Sequence, residues 1–201
     1  MRDTDATRAH DEVAQLVRMV RAIFADPAAL EPPIPDAGRR SRIKIWDESS
    51  FEDHQSWTVW GANPGEPNVG TLGFVRRIVW RREVDIAPRF DPVRRLQLLG
   101  QPLAPTVDVT DANLSVEMIA DWLDRLPALE SLSESVKRGR ALHLDGERYG
   151  VEIDDGAILC RYGWWGASKD WMPSNQALKA VAKWTVLFRD WVEGLLDSGS
   201  L

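Results

Sequence analysis

The chain has 201 residues, of which 44% are hydrophobic and 28% charged, and its formal net charge at pH 7 is −6. The hydrophobic content is typical of a globular chain and excludes an intrinsically disordered one. The length favours one domain over residues 1–201, and the net negative charge argues against general nucleic-acid binding.

The compartment is predicted from the cysteine content and the N-terminus. Cys160 is the single cysteine, so an internal disulfide is excluded and an oxidising compartment is not implied. The first residues are mostly charged and lack the apolar core of a signal peptide. No apolar run reaches the roughly 18 residues that a membrane-spanning helix needs. We therefore predict a cytoplasmic protein without membrane contact.

The N-terminal part of the sequence predicts a helix followed by a stiff connection. Apolar residues recur at three- and four-residue spacing from Val13 to Phe24, which indicates an amphipathic helix over residues 6–25. Asp26-Pro27 ends this pattern, and four prolines predict a Pro-rich connection at residues 27–38.

Strand patterns follow this connection. Residues 42–46 and 55–60 alternate in the manner of strands, and residues 61–70 form a loop rich in turn residues. The longest alternating run, residues 72–86, predicts a strand or a bent hairpin limb with one solvated face. Four further prolines predict mostly irregular structure over residues 87–106.

The C-terminal half predicts two helices around a β-meander. Apolar spacing indicates a helix over about residues 115–126. Asp145-Gly146 and Asp154-Asp155-Gly156 are turn sequences between alternating segments, which predicts a meander over residues 141–162. Residues 163–173 then form a loop, and a long helix runs from Ser174 or Asn175 to about Asp197.

The fold class predicted from these elements is α+β. We expect a mainly antiparallel sheet of about five to seven strands in a single domain. The N-terminal helix, a middle helix and the long C-terminal helix should pack on this sheet.

The charges are distributed unevenly along the chain. Residues 71–100 carry seven arginines and three acids, whereas residues 101–135 carry seven acids and one arginine. One interpretation is that the two segments face each other or are simply solvated. The alternative is a bipolar surface that steers a partner.

No motif commits the chain to a reaction. His143 and Asp145 share a strand face, and neighbouring strands place Cys160 within reach of His143, but neither pair forms a complete metal or nucleophile site. The Ser41-x-x-Lys44 pattern is short and precedes a strand rather than opening a helix. We therefore predict no metal and no cofactor, and we lean against an enzyme.

The ten tryptophans are the most unusual feature of the composition. Helix and strand spacing places some of them in the core. A loop normally runs over the surface, so the tryptophans in the predicted 163–173 loop are candidates for an exposed aromatic anchor. The candidate partner-binding residues are Trp164, Trp165, Trp171 and Trp60.

Three functions are compatible with these features. The leading hypothesis is a protein-binding module, such as a small acidic inhibitor or immunity-type protein, that recognises its partner through exposed tryptophans. The alternative is a small enzyme with a pocket near the 61–70 and 163–173 loops. A second alternative, which the net charge opposes, is nucleic-acid binding through a strand bearing Arg76, Arg77, Arg81 and Arg82.

Overall fold

The computed structural model describes residues 2–33, 40–48, 53–61, 72–127, 147–154, 159–166 and 176–198. The helices are α1 (Arg2–Ala25), α2 (Arg82–Phe90), α3 (Pro92–Gln97), α4 (Val116–Asp124) and α5 (Gln176–Ser198). The strands are β1 (Arg40–Glu48), β2 (His54–Gly61), β3 (Leu72–Trp80), β4 (Val107–Ser115), β5 (Glu147–Asp154) and β6 (Leu159–Gly166). A short 3-10 turn, Pro27–Ala29, follows α1.

The six strands form one antiparallel sheet in the order β4-β3-β2-β1-β5-β6. Together with the N-terminal, middle and C-terminal helices, this sheet confirms the predicted α+β class and strand number. No helix among the described segments combines the length and apolar character needed to cross a membrane.

The larger core lies between one face of the sheet and α4 and α5. Alternate strand residues point to this face, as Ile43 and Ile45 of β1 do. The long helix α5 contributes the stripe Val181, Phe188 and Val192, each of which is fully buried. This packing is the reason that the apolar face of α5 is so wide.

The opposite face of the sheet packs on α1. Leu16, Val20 and Phe24 of α1 contact Ile78 and Trp80 of β3, and all five side chains are buried. The sheet is therefore covered on both faces. The strand β2, for example, carries buried side chains at both odd and even positions, which blurs the simple alternation of a half-solvated strand.

The segment after β3 differs from the prediction. The alternating run was expected to continue to residue 86 as a strand or hairpin limb, but β3 ends at Trp80 and α2 begins at Arg82. The side chain of Asp85 explains this change, because it accepts hydrogen bonds from the Trp80 indole (2.6 Å) and from Thr106 N and Oγ1 (2.7 Å each). The two bonds from Thr106 join residues 21 apart in the sequence and do not show in a local pattern.

Residues 87–106 are also more regular than their prolines predict. They contain the end of α2 and all of α3. Asp91 caps α3 by accepting hydrogen bonds from Val93 N (2.9 Å) and Arg94 N (3.3 Å), and Pro92 occupies the first turn. Asp-Pro is a recognisable helix start, so the sequence did carry a signal for this helix.

Two further differences concern strands. The sequence pattern did not predict β4, which pairs with β3 along its whole length from Val107 to Ser115. The predicted 163–173 loop begins too early, because β6 extends to Gly166 and includes Trp164. The 61–70 loop, apart from Gly61, and the 141–146 part of the meander lie outside the described residues.

Candidate functional site

The arginines of β3 are held by acidic residues of the protein itself. The Arg76 side chain is fully buried and forms a two-pronged ion pair with Asp111 of β4, at 2.8 Å for each nitrogen. Its guanidinium also donates to the backbone carbonyls of Pro27 and Leu30 (2.9 and 3.0 Å) and to that of Pro32. Arg76 therefore joins β3, β4 and the connection after α1.

The neighbouring arginines are also occupied. Arg77 forms an ion pair with Glu193 of α5. Arg81 donates to Asp108 of β4 at 2.6 Å, and this bond raises the pKa of the guanidinium. Pairing of the basic β3 with the acidic β4 confirms the interpretation in which the two oppositely charged segments face each other.

These contacts weaken the nucleic-acid hypothesis. Arg76 is inaccessible, and Arg77 and Arg81 carry carboxylate partners that a phosphate would have to displace. Arg82 lies at the start of α2, not on the strand, and its backbone N–H donates to Asp53. The arginine strand considered as a possible polyanion contact is therefore buried at its first residue, Arg76, and ends before Arg82.

The tryptophans proposed as a partner anchor are not all available. Trp60 and Trp164 are 5% and 7% exposed. Trp164 lies in β6 opposite Tyr149, and the two rings stack at 6.4 Å between centroids. Both side chains pack within the sheet, so the prediction that these two tryptophans are exposed is wrong. Trp171 and the side chain of Trp165 lie outside what the structure describes, and their role stays a prediction.

The pocket expected for an enzyme is small where it is described. The cavity beside Trp164, bounded also by Trp57 and Thr185, measures about 20 Å³, which is room for a water molecule. Most of the 61–70 and 163–173 loops, beside which that pocket was predicted, lie outside the described residues. Within the described segments no group of three metal-ligating side chains occurs.

A different surface concentrates the exposed apolar side chains. Seven large hydrophobic residues of the described chain are exposed, and five of them belong to α2, α3 and the turn that follows. We call these five residues and the arginines around them the α2–α3 surface. Its apolar members are Val84, Phe90, Val93, Leu96 and Leu99.

The α2–α3 surface contains a groove against the N-terminal half of α1. Two adjoining cavities of about 420 and 520 Å³ share the same four lining residues, which are Arg8, Arg89, Arg95 and Leu99. Because they share these residues, the two cavities form one continuous depression. Volumes of this size are typical of sites that accept side chains or small ligands.

The charge of the groove is biased toward the positive. The three arginines Arg8, Arg89 and Arg95 are accompanied by Glu12 and by Asp85, whose carboxylate is already bound to Trp80 and Thr106. Glu12 lies 3.1 Å from Arg8 and 3.6 Å from Arg89. Arg89 is 8% exposed, its Nε is the atom that faces Glu12, and its guanidinium donates to the Asp85 carbonyl. Three arginines and two carboxylates give the groove a formal charge of about +1, whereas the chain as a whole carries −6.

Sequence reasoning missed this surface because it assigned residues 72–86 to a strand and 87–106 to irregular structure. The Asp91-Pro92 start signal was the clue that these residues are helical.

Comparisons with protein-family models, curated proteins and solved structures found no significant match. The candidate site therefore depends on the geometry of this chain alone.

Proposed function

We propose that the protein is a binding module, and that the α2–α3 surface docks an acidic segment of a protein partner. The observation that carries this proposal is the clustering of five exposed apolar side chains beside a groove lined by three arginines. Contiguous exposed apolar patches rimmed by polar groups are typical of interaction sites on protein surfaces.

The chemistry of the surface defines the partner. Leu96 and Leu99 offer apolar contact area, and each is more than half exposed. Arginine is enriched in binding hot spots because its planar guanidinium binds carboxylates in two places. The complementary segment carries Asp or Glu next to large apolar residues, and an amphipathic helix laid in the groove presents them together.

This proposal keeps the predicted protein-binding function but assigns it mainly to the α2–α3 surface instead of to the tryptophans. Trp60 and Trp164 are buried in the sheet, whereas the five apolar members of the α2–α3 surface are exposed. An inhibitor or immunity-type protein that captures an acidic segment of its target is one form of this function. Trp165 and Trp171 remain proposed additional contacts.

The test is a selection of phage-displayed random peptides on the immobilised full chain. We expect enriched peptides to combine acidic residues with Leu, Ile, Phe or Trp. A synthetic copy of an enriched peptide should bind more weakly as salt is raised, because salt screens the arginine–carboxylate attraction. Isothermal titration calorimetry at two salt concentrations measures this dependence.

Charge insertion into the surface provides the decisive comparison. The double variant Leu96→Glu, Leu99→Glu should weaken peptide binding by more than about tenfold, because it removes apolar contacts and repels the acidic ligand. The matched control is Leu159→Glu, Leu187→Glu, which changes two equally exposed leucines outside this surface. Both variants should unfold at wild-type temperatures.

Several outcomes would overturn the proposal. Enrichment of basic peptides, or no enrichment at all, would exclude an acidic partner. Equal loss of binding in the control would show that the effect is not local. Concentration-dependent dimerisation that only Leu96→Glu, Leu99→Glu abolishes would assign this surface to a second copy of the chain.

A further inference from the structure

A second cleft lies at the other end of α1, on the face of the sheet that α1 covers. It has a volume of about 280 Å³ and is bounded by the C-terminal turn of α1 and by strands β1, β2, β5 and β6. Along α1, the groove reaches Gln15 and the cleft begins at Arg21, six residues or about 9 Å further on, and no residue lines both. The two sites are therefore separate.

The interior of the cleft holds two polar groups with unused hydrogen-bonding capacity. Lys44 Nζ donates to the Ala25 carbonyl at 2.7 Å, and no carboxylate of the described residues lies within ion-pair distance of it. Burial lowers the pKa of Lys44, and only the longer-range attraction of Glu152 and Asp26 opposes this effect. The Ser56 hydroxyl is buried and has no hydrogen-bond partner among the described residues.

An unpartnered buried hydroxyl is unusual, because the loss of its bonds to water is then uncompensated. Ser56 is 1% exposed and lines the cleft. An ammonium group has three donors, and Lys44 uses one of them in the contacts described. A ligand with several acceptor oxygens would therefore accept hydrogen bonds from both Lys44 Nζ and the Ser56 hydroxyl.

The rim of the cleft adds further positive charge. Arg21 and Arg148 share the carboxylate of Glu48, at 2.8 and 3.6 Å. Arg161 is paired loosely with Glu152 at 3.8 Å, and its guanidinium lies 5.0 Å from the centre of the Trp46 ring. Four cationic side chains and two carboxylates therefore line the cleft, which leaves a formal charge of about +2.

We infer that this cleft binds a small phosphate monoester. The dianion would match the excess charge of the lining, and its oxygens would accept from Lys44 Nζ and the Ser56 hydroxyl. At the rim, Arg161 has the loosest carboxylate pairing, at 3.8 Å from Glu152, and would contact a remaining oxygen, whereas Arg21 and Arg148 stay paired with Glu48.

The dimensions of the cleft exclude larger ligands. Small-molecule sites commonly measure about 300 Å³ or more, so this cleft lies at the lower end of the range. A nucleic-acid strand or a protein segment would reach only the rim arginines, not Lys44 and Ser56 in the interior. Dependence of binding on these two interior groups therefore distinguishes a small phosphate ester from a polyanion on the surface.

The experiment titrates the unmodified 201-residue chain with phenyl phosphate as the probe. Isothermal titration calorimetry should show binding with one molecule per chain. Benzoate, which has a similar ring but a single negative charge, should bind at least about tenfold more weakly because it forms fewer charge-assisted hydrogen bonds. Equal affinity for benzoate, or no binding of phenyl phosphate at millimolar concentration, would overturn the inference.

Two variants test the interior donors. Ser56→Ala removes a hydroxyl that has no partner, so the fold should be retained while phenyl phosphate affinity falls about three- to tenfold. Lys44→Met should reduce the affinity by more than about tenfold. The control is Lys183→Met, an exposed lysine of α5, which should leave affinity unchanged. Unchanged affinity in folded Ser56→Ala and Lys44→Met would place the ligand elsewhere and overturn the assignment.

Discussion

At the scale of single residues, Gly150 determines how closely Trp46 packs on the sheet. Gly150 of β5 is the strand partner of Trp46 in β1, and the indole lies over the glycine. A β-carbon at position 150 would overlap the indole and would lie 2.7 Å from the Tyr162 carbonyl oxygen. The absence of a side chain therefore allows a buried tryptophan to cross the neighbouring strand.

We predict that Gly150→Ala lowers the free energy of unfolding by about 1–3 kcal/mol, because the overlap forces Trp46 and the backbone of β6 to move. Gly163, which pairs with Gly150 across the sheet, is the matched control. Its β-carbon would meet the Tyr149 carbonyl at an ordinary 3.6 Å, so Gly163→Ala should cost much less. Urea denaturation measures both values, and equal losses would contradict this account of Trp46 packing.

At the scale of elements, the buried Arg76–Asp111 pair connects three parts of the chain. It joins β3 to β4, and the same guanidinium binds the carbonyls after α1. A buried charge is tolerated only when its hydrogen bonds and its counter-ion are both present. This ion pair is therefore expected to stabilise the edge of the sheet more than the exposed ion pairs do.

Removal of the counter-ion tests this connection. Asp111→Ala should lower the free energy of unfolding by about 3 kcal/mol or more, since it leaves the Arg76 guanidinium buried without a negative charge. Asp108 lies on the same strand as Asp111, and its ion pair with Arg81 is about half exposed on both sides. Asp108→Ala should therefore cost far less than Asp111→Ala. Thermal and urea denaturation compare the two variants. Similar costs would mean that the backbone carbonyls alone compensate the charge of Arg76.

At the scale of the whole molecule, the packing of Tyr162 of β6 against the larger core couples stability to pH. Burial, followed by a hydrogen bond with Cys160, raises the pKa of Tyr162 from 10.0 to about 12. Between these values the unfolded chain loses the phenolic proton while the folded chain keeps it. Stability from this group is therefore complete below pH 10 and is lost as the pH rises toward 12.

We predict that Tyr162→Phe makes the alkaline loss of stability shallower, because phenylalanine has no proton to release. Urea midpoints measured at intervals between pH 9.5 and pH 12 should fall more steeply with pH for the wild type than for the variant. Measurements at pH 7 give the constant difference due to packing. Parallel curves over the whole range would show that Tyr162 does not contribute to the alkaline transition.

The candidate sites were less predictable from sequence than the fold. Turn sequences and apolar periodicity identified α1, α4, α5 and most of the strands, since these signals are local. The surface formed by α2 and α3 was missed because Val84 and Ile86 continue the alternation of β3. The exposure of Trp164 was predicted wrongly because β6 extends beyond its turn-like Gly163. Trp60 lies in β2, where it is buried and its ring contacts Phe74.

The sequence by itself determined the fold class, the opposite charges of residues 71–100 and 101–135, and the wide apolar face of α5. Each of these follows from residue types within a short window. Only the tertiary structure decided that Arg76 is buried, that Lys44 and Ser56 line one cleft, and that α2 and α3 present apolar side chains outward. The physical reason is that burial depends on partners distant in sequence, such as Asp111, which lies 35 residues from Arg76.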